Sequence, residues 1–290
     1  MSRIAIDGTR GRSRHAHAGL LGALVLLAST VFVQSEAVAQ IANTKHNLGS
    51  TNAIAGANKF SGSTEICVFC HTPHGGDTAA AVPLWNRTLA NPNTYTTYDS
   101  LGTSTLDGKT LPVGSVSIAC LSCHDGVQAM NSVINAPGSG FAGDAAWIAG
   151  TWTGTRQTGG AINNTSVALL GTDLRNDHPI GIQYCGGGWT VASGTGSCAD
   201  GDFNAPSFAT IGPGKVFWVN TAGGTGGRDK TDMILYNRTG TFNGTGGSAA
   251  AAGEPFVECA SCHDPHTNSQ ATFLRTANTG SAVCLACHVK

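Results

Sequence analysis

Cys67-Val68-Phe69-Cys70-His71 is the stretch on which the reading of this chain turns, and its pattern recurs three times. The repeats are Cys120-Leu121-Ser122-Cys123-His124, Cys259-Ala260-Ser261-Cys262-His263 and Cys284-Leu285-Ala286-Cys287-His288. Each has the form C-x-x-C-H. Two thiols one helical turn apart reach the two vinyl groups of one porphyrin, and the next residue turns its imidazole under the iron. Half of a zinc site or a redox disulfide needs only the cysteine pair, not a histidine directly behind it. The fourfold pattern therefore selects four covalently attached haem c groups, with His71, His124, His263 and His288 as proximal ligands.

The chain has ten histidines, and His15 and His17 lie in the leader described below. Four others remain: His46, His74, His178 and His266. They match the number of distal positions on four irons, so bis-histidine ligation is expected, at lower potentials than His/Met pairs would set. Met130 and Met233, the two methionines outside the leader, are the alternative donors. Cys70-His71-Thr72-Pro73-His74 and Cys262-His263-Asp264-Pro265-His266 share the pattern C-H-x-P-H. A histidine three residues past the proximal one cannot reach the far face of the same iron, and the proline redirects the chain. His74 and His266 are thus expected to ligate other haems, which brings haems together as close pairs. His46, seven residues into the mature chain, is loosely tethered and able to reach a haem of another subunit.

The first 39 residues read as a signal peptide. Arg3, Arg10, Arg12 and Arg14 precede an apolar run from Gly19 to Val33, and Ala37-Val38-Ala39 supplies small residues for cleavage. That run is about 15 residues, short of the roughly 20 that span a bilayer. The mature protein is then expected to be soluble, exported and a single tetrahaem domain over 40–290. It carries twelve basic and fifteen acidic residues, a net charge of −3, with no basic patch to favour nucleic acid.

Only 11% of residues are charged and 7% aromatic, while glycine reaches 40 of 290. Such a chain buries little apolar side-chain area against its ordering entropy, so the haems are expected to supply the core. The expected fold is a multihaem cytochrome c: mostly irregular loops, short helices at the attachment motifs, few short strands and a core of four stacked haems. A Gly/Ser/Thr-rich insertion occupies about 130–250. Within it Lys215–Val219 and Asp232–Tyr236 are the strand candidates, expected to pair across a Gly-rich turn. Cys185 and Cys198 have no histidine behind them and read as a disulfide in an oxidising compartment. N-x-S/T sequons stand at Asn86, Asn163, Asn164, Asn237 and Asn243, and ordinary turn residues are the favoured reading of them.

Further motifs fill out the chain: Lys45-His46-Asn47-Leu48, Pro83-Leu84-Trp85-Asn86-Arg87, Cys123-His124-Asp125-Gly126 and Asp177-His178-Pro179-Ile180. With the C-H-T-P-H and C-H-D-P-H stretches they span nearly the whole mature sequence. In this order the chain resembles the exported tetrahaem cytochromes that polymerise into extracellular conductive filaments. The resemblance implies bis-histidine ligation throughout, alternating parallel and T-shaped haem pairs, and one axial histidine given across the subunit interface, for which His46 is the candidate. It also implies a homopolymer as partner, fed by periplasmic or outer-membrane cytochromes.

Three functions are weighed: filament subunit, monomeric periplasmic electron shuttle, and multihaem reductase. Catalysis at haem needs an open axial position, and the histidine supply leaves none. The sparse surface charge disfavours a shuttle, whose transient partners dock through charged patches. An electron-transfer filament subunit without enzymatic activity is the expectation.

Overall fold

The strand candidates Lys215–Val219 and Asp232–Tyr236 do pair, but at the centre of a larger sheet in the computed structural model of the chain. The structure describes residues 40–138, 143–193, 196–221, 227–244 and 246–289, and the expected signal peptide over 1–39 lies outside them. Among the described residues no helix is long and apolar enough to cross a membrane.

Among the described residues nine strands form three antiparallel groups. β1 (Lys59–Phe60) pairs with β2 (Trp152–Thr153), and β3 (Gln157–Thr158) with β4 (Ala161–Ile162). β5 (Ile182–Gln183), β6 (Ser207–Ile211), β7 (Gly214–Val219), β8 (Met233–Arg238) and β9 (Glu254–Val257) make one sheet in the order β5-β9-β8-β7-β6. The period-2 rule explains β8, where Met233 and Leu235 are buried and alternate with half-buried Ile234 and Tyr236. The buried side chains pack with Tyr184, Trp189, Phe217, Val219 and Val257.

Four α-helices among the described residues are placed by this framework: α1 (Ser115–His124), α2 (Ala145–Ile148), α3 (Cys259–Cys262) and α4 (Ala282–Cys287). Three of them carry attachment motifs, and the fourth motif lies in a 3-10 turn at Cys67–Phe69. Strand β9 runs through Glu258 straight into α3, and α4 packs against the sheet through Val283 and Ala286. The sheet thus holds the last two motifs. Helix α1 buries Val116, Ser117, Ile118, Ala119, Leu121 and Ser122, so it has no wet face and no amphipathic stripe.

The side-chain core exceeds what composition led us to expect. Phe60, Phe69 and Trp147 pack in mutual ring contact beside Cys70 and Cys123, and Trp85, Tyr95 and Leu121 form a second nucleus. Cys185 and Cys198 are joined as expected, closing the Gly-rich loop against the main core. In the chain-entropy view a loop of this size contributes about 3 kcal/mol. Both methionines are core fillers: Met130 packs with the Phe60 group and Met233 with Phe217. Asn86, one of the sequon asparagines, is wholly buried, its amide donating to Val68 O at 2.7 Å and Asn135 O at 2.9 Å.

Ser117 clasps α1 to α3. Its hydroxyl donates to Glu258 and accepts from Cys259 N at 2.9 Å, while Arg238 pairs with the buried Glu258 at 2.8 Å. Burial raises the Glu258 pKa above the usual carboxylate range, against the pull of Arg238.

Gly126 ends α1. Its φ is +73°, its N–H caps Cys123 O at 3.1 Å, and a Cβ there would stand 2.4 Å from Leu169 Cδ1 and 2.9 Å from Ile162 O. Gly126→Ala is expected to destabilise by roughly 1 kcal/mol or more, lowering Tm by roughly 2–4 °C. Thermal unfolding checks this, and an unchanged Tm would contradict the assigned role.

Candidate haem site

A histidine serves iron through one ring nitrogen, and the hydrogen bond at the other fixes which one. His71 Nδ1 lies 2.8 Å from Pro83 O, His124 Nδ1 2.7 Å from Ala168 O, and His263 Nδ1 2.7 Å from Thr272 O. A carbonyl only accepts, so each Nδ1 carries the proton and each Nε2 is left for a metal. His178 Nδ1 is held the same way by Pro179 O at 3.0 Å.

The carbonyls at His71 and His263 come from a repeated backbone clip. In the first motif Asn86 N donates to Cys70 O at 2.9 Å and Thr72 N donates to Leu84 O at 3.0 Å. In the third, Arg275 N donates to Cys262 O and Asp264 N to Phe273 O, both at 2.8 Å. In the fourth, Asn204 N donates to Cys287 O at 2.8 Å and Val289 N to Asp202 O at 2.9 Å. The second motif differs because α1 continues through His124, whose carbonyl takes Leu170 N at 2.8 Å. The clip also delivers an aromatic ring to each site. Trp85 stands edge-on to His71 at 6.0 Å, Phe203 lies 4.4 Å from the His288 ring, and Phe273 stacks on His46 at 4.3 Å.

Two pairs of imidazoles face each other at the spacing of an iron site. Two rings joined through one iron have centroids roughly 6 Å apart: about 2.0 Å for each metal–nitrogen bond and about 1.1 Å from nitrogen to ring centre. His71 and His266 stand 6.2 Å apart, and His46 and His124 stand 6.1 Å apart. The residues present fit haem iron in both places. His178 lies within electrostatic reach of His288. His74 is exposed and stands in no ring pair among the described residues.

The electrostatics suit neutral ligands. Burial, then the neighbouring His124, His266 and His263, push His46 down to about 4. Burial also lowers His124 and His178. It pushes the Cys70 and Cys287 thiols up to about 12, and it raises Cys123 and Cys262. These are protonated thiols, poor as zinc thiolates. The cysteines bring neighbouring motifs together: Cys120 with Cys259 by a hydrogen bond that raises the first thiol and lowers the second, and Cys262 with Cys284 and Cys287. None of the eight is bridged. Among the described residues no three of His, Cys, Asp and Glu converge as a bare metal ion would need.

The fold sets two of the expected distal histidines against expected proximal ones, His266 against His71 and His46 against His124. His46, the candidate for an inter-subunit ligand, faces a histidine of its own chain. Sequence reading missed the carbonyls of Pro83, Ala168 and Thr272, because a backbone carbonyl has no residue-type signal. It missed the ring partners Phe203 and Phe273 as well, although an aromatic one or two residues before each clipping N–H is a usable pattern.

Residues 250–290 match the family described as the doubled CXXCH motif. No curated protein sequence matches the chain. The doubled motif suggests a haem-binding, electron-transfer cytochrome of the multihaem c type.

His266→Ala should leave the haem on His71 without its sixth ligand. Electron paramagnetic resonance of the oxidised protein is expected to show one new high-spin centre. A wholly low-spin spectrum would contradict the pairing of His71 with His266.

Proposed function

We propose that this chain carries single electrons through four bis-histidine haems, as the subunit of an extracellular filament that delivers them to acceptors outside the cell. The observation that carries the reading is the iron-sized gap between His71 and His266 and between His46 and His124. Bound haem supplies one-electron chemistry at its iron. Cys67 with Cys70, Cys120 with Cys123, Cys259 with Cys262 and Cys284 with Cys287 hold it as thioethers. His71, His124, His263 and His288 ligate one face. On the other face His266, His46 and His178 serve the haems of His71, His124 and His288. With both faces taken, no position stays open for a substrate, and this favours electron transfer over a reductase.

His74 and His263 remain, both exposed. Two ligand pairs face each other inside the chain and His178 lies within electrostatic reach of His288, so the cross-subunit role passes from His46 to His74, which completes the haem of His263 in the next subunit. Exposed apolar side chains flank the first and last motifs: Leu84 at 48%, Leu285 at 47% and Val289 at 60% exposure. They are suited to burial between copies. The sparse surface charge supports the same choice over a monomeric shuttle.

Haem content should be four per chain, and negative-stain microscopy of sheared extracellular material should show filaments. Only dispersed particles would overturn the filament. His74→Ala is expected to abolish assembly and leave one high-spin haem. Intact filaments with every haem low-spin would remove His74 from the interface.

A further inference from the structure

Asn86 and Arg87 tie the first two attachment motifs together. Asn86 N holds Cys70 O at 2.9 Å, and its side-chain amide holds Val68 O at 2.7 Å, so both bonds end inside Cys67-Val68-Phe69-Cys70. The next side chain turns to the other motif. Arg87 Nε donates to Ser122 Oγ at 3.1 Å and Nη2 donates to Ser122 O at 2.9 Å, inside Cys120-Leu121-Ser122-Cys123. Nη1 reaches Met130 O at 2.9 Å and Nη2 reaches Ala129 O at 3.1 Å. Arg87 is 0% exposed, the largest wholly buried side chain among the described residues.

Every one of these acceptors is neutral. No protein carboxylate forms an ion pair with Arg87 among the described residues, so its charge stays uncompensated by the chain in a medium of low dielectric. An unpaired buried cation is costly, and a purely structural clip could be made without charge. A positive charge held beside an iron centre favours the electron-rich ferrous state.

We propose that Arg87 is a redox-positioning residue, a fixed buried charge that raises the reduction potentials of the haems on Cys67/Cys70 and Cys120/Cys123. The proposal rests on haem attachment at both motifs. Directly behind His124 the buried Asp125 sets a negative charge against that of Arg87; the corresponding residue behind His71 is the neutral Thr72. The haem on Cys67/Cys70 therefore feels the larger effect. Asp125 is itself anchored, accepting from Tyr95 Oη at 3.0 Å and from Val127 N at 2.9 Å.

The test uses the full-length holoprotein and the variants Arg87→Met, Arg87→Lys and Asp125→Asn. Haem content and spin state establish first that every motif is loaded and six-coordinate; a wild type lacking haem at these motifs refutes the attachment reading instead. In spectroelectrochemical titration, Arg87→Met should lower the reduced-to-oxidised ratio of one component about tenfold at fixed potential, equal to about 59 mV. Arg87→Lys keeps the charge and should stay within about twofold of wild type. Asp125→Asn should move the ratio the opposite way. An unchanged titration in loaded, low-spin Arg87→Met overturns the proposal, as does a loss in Arg87→Lys equal to that in Arg87→Met. If Arg87→Met fails to load haem, Asp125→Asn decides, and no rise in potential there overturns it.

Discussion

An imidazole held by Nδ1–H···O=C is the interaction on which this structure depends. It fixes the tautomer and the ring plane together, so that Nε2 points to one place. At His71, His124 and His263 the carbonyl comes from an irregular segment: Pro83, Ala168 and Thr272. Loops elsewhere connect elements. Here they carry the backbone that orients the ligands. The clip that repeats at the first, third and fourth motifs makes that orientation rigid with two backbone hydrogen bonds per site. A short helix, a clip and an aromatic ring form the unit from which the molecule is built.

The larger elements serve these units. β9 leads into α3, and the sheet packs under α4, which fixes the third and fourth motifs on one body. Ser117 and the Glu258–Arg238 pair fasten α1 to α3. Asn86 and Arg87 fasten the first motif to the second. Each successive pair of attachment sites therefore has its own tie: hydrogen bonds between the first and second and between the second and third, and apolar packing on the sheet between the third and fourth. This is how a glycine-rich chain with little charge reaches a defined arrangement.

Much of the site was legible in the sequence because c-type haem attachment has a local grammar. Two thiols and an imidazole must come from five consecutive residues, so Cys67–His71 announces itself without any fold. The C-H-x-P-H spacing raised the expectation that His266 serves another haem, and the fold places its ring opposite His71. The central strands were legible as short apolar runs, Val216-Phe217-Trp218-Val219 and Met233-Ile234-Leu235-Tyr236, on either side of a Gly-rich turn. β6, with the sequence Ser-Phe-Ala-Thr-Ile, was not, because it lies at the sheet edge and gains its strand character from pairing with β7. The carbonyl partners left no trace, since every residue carries one. Arg87 was visible only as the last letter of a motif. Its burial against Ser122 depends on the loop at Ala129 and Met130, which local pattern does not reach.

The central claim is that this chain positions histidines on both faces of its irons. Resonance Raman spectroscopy of the oxidised, assembled protein reads coordination and spin state of all the haems at once. The account predicts a single six-coordinate, low-spin population. A substantial five-coordinate, high-spin population in the wild-type protein would contradict it.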